Sequence, residues 1–224
     1  MIQMTVDHPE AAGFDLSSLE TLVYGASPIS EALVVRATKL LQTANFIQIY
    51  GMTEMAPIMT ILAGVFHRGE GLARGKVRSA GQATFGVEVR IVDPQGAELP
   101  RGEVGEIAVL SPGVMLGYWN KSEETAKALG RPGFEGWMHT GDAGRMDADG
   151  FLFLVDRVKD KIVSGGENVY SVEVEQAVAK HPAVAACAVI GVPDADWGER
   201  VHAVVVLKAG ATPRWMTSAT TAKR

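Results

Sequence analysis

Leu19-Glu-Thr-Leu-Val-Tyr-Gly25 and Phe46-Ile-Gln-Ile-Tyr50-Gly51-Met52-Thr53-Glu54 each contain a short apolar run that closes on glycine, with a helical pattern between them. Ser30 opens that pattern as an N-cap, because a serine side chain can satisfy an orphan amide of the first turn. The apolar period then runs to Leu41. Strand, helix, strand at this spacing predicts an α/β unit with ligand-facing loops at the strand ends. Gly25 and Gly51 mark those ends, where a chain turns tightly or a backbone approaches a ligand.

After Gly75 the pattern changes. Val87-Glu-Val-Arg-Ile-Val92 alternates, Asp93-Pro-Gln-Gly96 reads as a turn, and Gly105-Glu-Ile-Ala-Val-Leu110 is a further strand. Phe151-Leu-Phe-Leu-Val155 follows the turn Asp147-Ala-Asp-Gly150. Short strands punctuated by Gly, Pro and Asp predict a small, distorted β-barrel-like subdomain. The charge-dense run Asp156 to Lys161 marks a boundary. Beyond it, Ser171 to Lys180 predicts an amphipathic helix capped by Ser171, with Val174, Ala177 and Val178 as its apolar stripe. Val184 to Val192 and Val201 to Leu207 predict two strands. The expected fold class is α/β, with residues 1–156 closing a larger domain and 157–213 forming a partial α+β domain. Residues 214–224 are an atypical tail without periodicity, which truncation or a reading-frame change near residue 213 would explain.

The chain has 224 residues, 47% hydrophobic and 21% charged, with a formal charge of −5. That composition supports a sizeable core. The negative balance argues against nonspecific nucleic-acid binding, which needs many basic contacts. Cys187 is the single cysteine, so an internal disulfide framework is excluded. Within Val184 to Ile190 it is expected to be a buried small hydrophobe. Residues 1–9 lack the basic start and apolar run of a signal peptide, and no apolar stretch reaches bilayer-spanning length. The expected location is cytoplasmic, with peripheral membrane attachment left open.

Three polar segments carry the chemistry. In Tyr50-Gly51-Met52-Thr53-Glu54 an aromatic ring can stack on a purine and a threonine can donate to phosphate. Glu54 supplies a hard oxygen suited to Mg²⁺ beside phosphates, although a solvated helix start would present the same residues. In Thr140-Gly141-Asp142 the carboxylate can accept both hydroxyls of a ribose diol, and an Asp-containing turn is the competing explanation. Arg157 offers a planar fork for the same diol, or is simply a surface arginine at a strand end. Ser164-Gly165-Gly166-Glu167-Asn168 lets a ligand arm pass close to the backbone, but no G-x-x-x-x-G-K-[ST] or G-x-G-x-x-G occurs. Tyr24-Gly25-Ala26-Ser27-Pro28 offers a small-residue wall for a purine pocket. The histidines are scattered away from metal-site spacing, and His139 is expected to be structural or to support the ligand-binding residues from behind.

These segments in this order, with Gly105-Glu-Ile-Ala-Val-Leu-Ser-Pro-Gly-Val-Met-Leu-Gly-Tyr-Trp-Asn120, resemble the adenylate-forming superfamily, nearest the fatty-acid–CoA ligases. The likeness runs from about residue 14 to 210 and looks like a truncated second half of such an enzyme. It implies that a carboxylic acid attacks ATP to give acyl-AMP, and that CoA then displaces AMP. It further implies Gly25, Ala26 and Ser27 along the adenine and acyl pocket, Tyr50 and Gly51 at the adenine, and Thr53 at the α-phosphate. Glu54 would hold Mg²⁺, Asp142 and Arg157 the ribose, and Gly166 would line the pantetheine tunnel. Lys159 would be an interdomain hinge, and Met52, Met55 and Ala56 would border the acyl chain. The family's phosphate loop and its Gly-Lys lysine have no counterpart in the sequence, so the chain is expected to be inactive alone unless a missing N-terminal half complements it. An aryl- or amino-acid-activating adenylation protein that loads a carrier protein, and a non-catalytic nucleotide-binding remnant, are the alternatives.

Overall fold

In the computed structural model, residues 1–26, 29–129, 135–158 and 161–211 are described. Ser27, Lys159 and the tail 214–224 lie outside them. The chain divides into two compact units, Met1–Lys159 and Asp160–Arg224.

The first unit opens with α1 (Ile2–Asp7) and β1 (Thr21–Gly25), followed by α2 (Glu31–Leu40) and β2 (Asn45–Gly51). Ser30 caps α2 as the sequence predicts, its Oγ accepting the Leu33 N–H at 3.3 Å. Val34, Ala37, Thr38 and Leu41 recur at helical spacing and are buried, so one face of α2 enters a core shared with Tyr24 and Phe46. β1 and β2 are parallel, as a strand–helix–strand crossover requires, with Gly25 opposite Ile49. β3 (Ile58–Leu62) returns antiparallel, α3 (Gly69–Ala73) follows, and β4 (Gln82–Ala83) completes a sheet of order β1-β2-β3-β4.

A second sheet, β5-β6-β7-β8, is an antiparallel meander of β5 (Glu88–Val92), β6 (Gly105–Leu110), β7 (Trp137–Met146) and β8 (Leu152–Arg157), with α4 (Ser122–Leu129) between β6 and β7. A bridge from Gly81 to Leu152 ties its last strand to the segment entering β4. Met55, Met59, Ile107, Val109, Met138 and Leu152 form the core of this region. Lys76 pins the β7–β8 turn: its Nζ lies 2.6 Å from Asp147 and 2.7 Å from Asp149, and 4.3 Å from the Phe151 ring centroid. Those two carboxylates, above all their hydrogen bonds, hold the ammonium pKa above its usual range.

His67 is fully buried at the edge of the α2 core. Its Nδ1 must carry the proton, because the group facing it at 3.2 Å is the Ala63 carbonyl. Nε2 therefore accepts the Tyr24 hydroxyl proton at 2.8 Å. Burial lowers the imidazole pKa; the backbone hydrogen bonds at Ala63 and Gly64 oppose this, and the Arg68 charge adds to it. The unfolded chain therefore binds more protons at this residue below about pH 6.5. Stability should be unaffected by His67 above that pH and decline as pH falls toward the lower folded pKa. Urea titrations at pH 7.5 and 5.5 should show a loss that His67→Gln reduces, up to about 1.4 kcal/mol per pH unit. An identical pH slope in both proteins would exclude His67 as a source.

The second unit contains β9 (Ile162–Ser164), β10 (Glu167–Val169), α5 (Ser171–Ala179), β11 (Val184–Asp194) and β12 (Gly198–Leu207), with strand order β10-β9-β12-β11. Three expectations change here, for Ser171, Ala177 and Cys187. Ser171 is the first helical residue rather than the cap, since the N-cap is Tyr170. Ala177 is exposed, whereas Val174 and Val178 are half-buried. Gly165 and Gly166, at φ 61° and 82°, form the two-residue hairpin turn between paired Ser164 and Glu167. Cys187 is half-buried, with its Sγ 3.4 Å from the Glu175 carbonyl. Burial first, then the Glu175 charge, raises its pKa, which disfavours a nucleophilic thiolate. Among the described residues no helix is long and apolar enough to cross a membrane.

Candidate functional site

The carboxyl ends of β1 and β2 bring Gly25-Ala26 and Tyr50-Gly51 to one edge of the parallel pair, the side on which open α/β sheets bind ligands. Gly25 is needed for chain packing, since a Cβ there would stand 2.3 Å from the Ile49 carbonyl oxygen. Gly51 is more confined: its Cβ would stand 1.7 Å from the Pro57 oxygen. The close approach permitted by Gly51 is thus to its own returning strand. Ala26 holds a left-handed φ of 65°, a conformation that costs of order 1 kcal/mol with a Cβ present and recurs at ligand-binding loops.

Asp142 does not sit in a turn. It lies inside ten-residue β7, directly opposite Arg157 of β8. The tight segment before it is held from several sides. Gly141, at φ 74°, donates its N–H to Glu106 Oε1 at 3.3 Å, and Glu106 Oε2 meets His139 Nδ1 at 3.0 Å. Thr140 Oγ1 donates to the Ile107 carbonyl at 2.9 Å and accepts the Asp142 N–H at 3.1 Å. His139 is thus held by Glu106, a brace that sequence reasoning missed. A β6–β7 register shift brings Glu106 opposite Ala143, a detail without a local sequence signal.

The Tyr50 hydroxyl donates to Asp142 Oδ2 at 2.7 Å, and Arg157 Nε stands 3.7 Å from Oδ1. Burial pushes the Tyr50 pKa far up, and the Asp142 charge and hydrogen bond add to the shift, so this hydroxyl stays a donor. The Arg157 side chain is 75% exposed and Asp142 is 24% exposed, so the arginine lies open to solvent while the carboxylate is half-buried beneath it. Tyr50, Asp142 and Arg157, scattered in sequence, form one cluster.

Thr53 and Glu54 begin a 3₁₀ turn over Thr53–Met55 just beyond Gly51. Thr53 is exposed and Glu54 half-buried, while Met55 faces the core and cannot border an open acyl channel. Glu54 Oε1 accepts the Tyr118 hydroxyl at 2.9 Å, a partner that sequence reasoning did not assign. Among the described residues no three His, Cys, Asp or Glu side chains gather as a metal cage. A lone carboxylate fits Mg²⁺, which keeps several waters and is usually held by one or two carboxylates together with substrate phosphates. Gly166 belongs to the second unit, where it is exposed, and a Cβ there would meet nothing within 4 Å.

The AMP-binding enzyme family model matches residues 1–119, more than half of the chain, and the model of the AMP-binding enzyme C-terminal domain matches residues 173–223. The chain belongs to the AMP-binding enzyme family. It is 44% identical over 211 residues to a medium/long-chain-fatty-acid–CoA ligase of Mycobacterium tuberculosis, spanning 94% of this chain and 35% of that protein. An amide bond synthetase of Marinactinospora thermotolerans superposes with a TM-score of 0.83 at 41% identity, covering 95% of this chain and 41% of that one. An o-succinylbenzoate–CoA synthetase of Bacillus subtilis, in complex with ATP and magnesium, gives a TM-score of 0.73 at 33% identity, covering 92% and 39%. The chain thus spans about two fifths or less of each of these relatives.

Proposed function

We propose that these residues form the ribose, adenine and magnesium side of an ATP-dependent acid–thiol ligase, with a fatty acid as the acid and CoA as the acceptor. The observation that carries this reading is the half-buried Asp142 carboxylate, bonded by the Tyr50 hydroxyl and paired with the exposed Arg157. Asp142 accepts the ribose hydroxyls, Arg157 supplies a second contact to the sugar, and the Tyr50 ring stands against adenine beside Gly25, Ala26 and Gly51. Thr53 donates to the α-phosphate and Glu54 is the magnesium ligand. When bound, magnesium neutralises phosphate charge that would otherwise repel the incoming carboxylate.

The substrate carboxylate oxygen bonds to the α-phosphorus while the bond to pyrophosphate breaks, yielding acyl-AMP. The CoA sulfur then bonds to the acyl carbon and AMP leaves. The open backbone of Gly166 suits a passing pantetheine arm. Likeness to the fatty-acid–CoA ligase supports the acid and acceptor, and the ATP- and magnesium-bound relative supports the nucleotide chemistry.

Calorimetric titration of the purified chain with AMP and 2′-deoxy-AMP tests the ribose assignment. Loss of one hydrogen bond to a charged acceptor should weaken binding about tenfold or more. Equal affinities would refute the assignment. With ATP, magnesium and a fatty acid, these 224 residues alone should bind nucleotide without releasing pyrophosphate, since no phosphate-loop motif is present among them. Acid-dependent pyrophosphate release would overturn that expectation.

A further inference from the structure

The long motif Gly105 to Asn120 ends beside the Glu54 turn. The chain there forms a strap across the Glu54 turn. Ser111 Oγ accepts the Gly113 N–H at 3.1 Å, starting a tight bend, and the Met115 N–H donates to the Glu54 carbonyl at 2.8 Å. Three residues on, the Tyr118 hydroxyl donates to Glu54 Oε1 at 2.9 Å. The strap thus grips Glu54 at both backbone and side chain, across 64 positions of sequence.

The far end of the strap is tied to the start of α4. Thr125 Oγ1 accepts the Tyr118 N–H at 2.9 Å and donates to the Lys121 carbonyl at 2.7 Å. Gly117, at φ 151°, passes so close that a Cβ would lie 2.9 Å from Thr125 Cγ2. Tyr118 is therefore fixed through its backbone on one side and through its hydroxyl on the other. A half-exposed glutamate would otherwise sample several rotamers, and ordering it on metal binding would cost about 1–2 kcal/mol.

We propose that Tyr118 is the positioning residue for the magnesium-binding carboxylate of Glu54. Its hydroxyl occupies Oε1 and turns Oε2 toward the cation that accompanies the nucleotide phosphates. This rests on the reading of Glu54 as the magnesium ligand. The tyrosine does not touch the reacting atoms. It acts by ordering the glutamate before the cation arrives, as hydrogen-bonding partners of metal ligands commonly do.

The test is Mn²⁺ titration of the purified chain saturated with ATP, followed by electron paramagnetic resonance, beside ATP affinity measured in chelator. Tyr118→Phe keeps the ring and removes one oxygen. It should weaken Mn²⁺ binding about tenfold and leave metal-free ATP affinity unchanged. Glu54→Gln serves as the reference and should weaken Mn²⁺ binding further, with little added loss in the double variant. If Glu54→Gln weakens Mn²⁺ binding but Tyr118→Phe does not, the positioning role is refuted while the ligand reading stands. If Glu54→Gln leaves Mn²⁺ binding intact, the ligand reading itself fails. An equal loss of Mn²⁺ and metal-free ATP affinity in Tyr118→Phe would mark a merely structural tyrosine and overturn the proposal. Should that variant not fold, Thr125→Val, which frees the Tyr118 N–H, should weaken Mn²⁺ binding about threefold, and unchanged binding would equally overturn it.

Discussion

Asp142→Ala is expected to lower AMP affinity about 10²-fold or more. Two ribose hydroxyls that bond to a charged acceptor contribute about 1.5–3 kcal/mol each, and each 1.4 kcal/mol is tenfold in affinity. The same substitution has a second effect that could be mistaken for the first. It deprives the half-buried Tyr50 hydroxyl of the acceptor 2.7 Å away. A fully buried orphaned donor costs about 1–3 kcal/mol of stability, and a half-buried one costs a fraction of that. The two effects separate in a double variant. Tyr50→Phe combined with Asp142→Ala removes both partners, so much of the lost stability should return while AMP affinity stays low. Calorimetry and thermal melts on the four proteins of this cycle check the prediction. If the double variant regained affinity together with stability, Asp142 would be a scaffold for Tyr50 and not a ribose ligand.

The residues of this cluster differ in how far the sequence announces them. The β1-α2-β2 unit is legible because its signals are local: apolar runs, the Ser30 cap, and glycines at both strand ends. Asp142 stands out in the sequence by its chemistry, with a turn as the competing explanation, and the structure puts it in a strand instead. Thr-Gly-Asp carries the composition of a turn, and only pairing with β6 and β8 keeps it in a strand despite the positive φ at Gly141. The bond from Tyr50 to Asp142 spans 92 positions, and that from Tyr118 to Glu54 spans 64. Such pairs depend on how two sheets pack against one core, information that no periodicity holds. The Ser171 cap failed for a similar reason. Serine before an apolar stripe favours the N-cap, but here Ser171 is buried as the first helical residue and Tyr170 precedes it with extended backbone. Local propensity yielded to packing.

Gly51→Ala should have the largest effect on the fold near the site. The added methyl would meet the Pro57 oxygen at 1.7 Å, the Pro57 carbonyl carbon at 2.8 Å and the Ile58 Cα at 3.0 Å. All three are backbone atoms, so no side chain can swing aside, and the β2–β3 pairing at Gly51 and Ile58 must open. Overpacking of this kind typically costs about 1–3 kcal/mol, occasionally more. For a chain of this size each kcal/mol lowers Tm by about 2–4 °C. The chain between the separated strands is residues 52–57, which carry Thr53 and Glu54. Moving them breaks the 2.8 Å bond from Met115 N–H to the Glu54 carbonyl and displaces the Glu54 carboxylate from Tyr118. The variant should therefore melt several degrees lower and lose the enhancement of nucleotide binding by Mg²⁺, even below its own Tm. Gly13→Ala is the matched control, because a Cβ there would meet nothing within 4 Å. A Gly51→Ala protein with control-like melting would mean that the Gly51–Pro57 approach relaxes freely. Reduced stability with intact Mg²⁺ enhancement would instead show that the turn holding Glu54 keeps its geometry without the Gly51–Ile58 pairing.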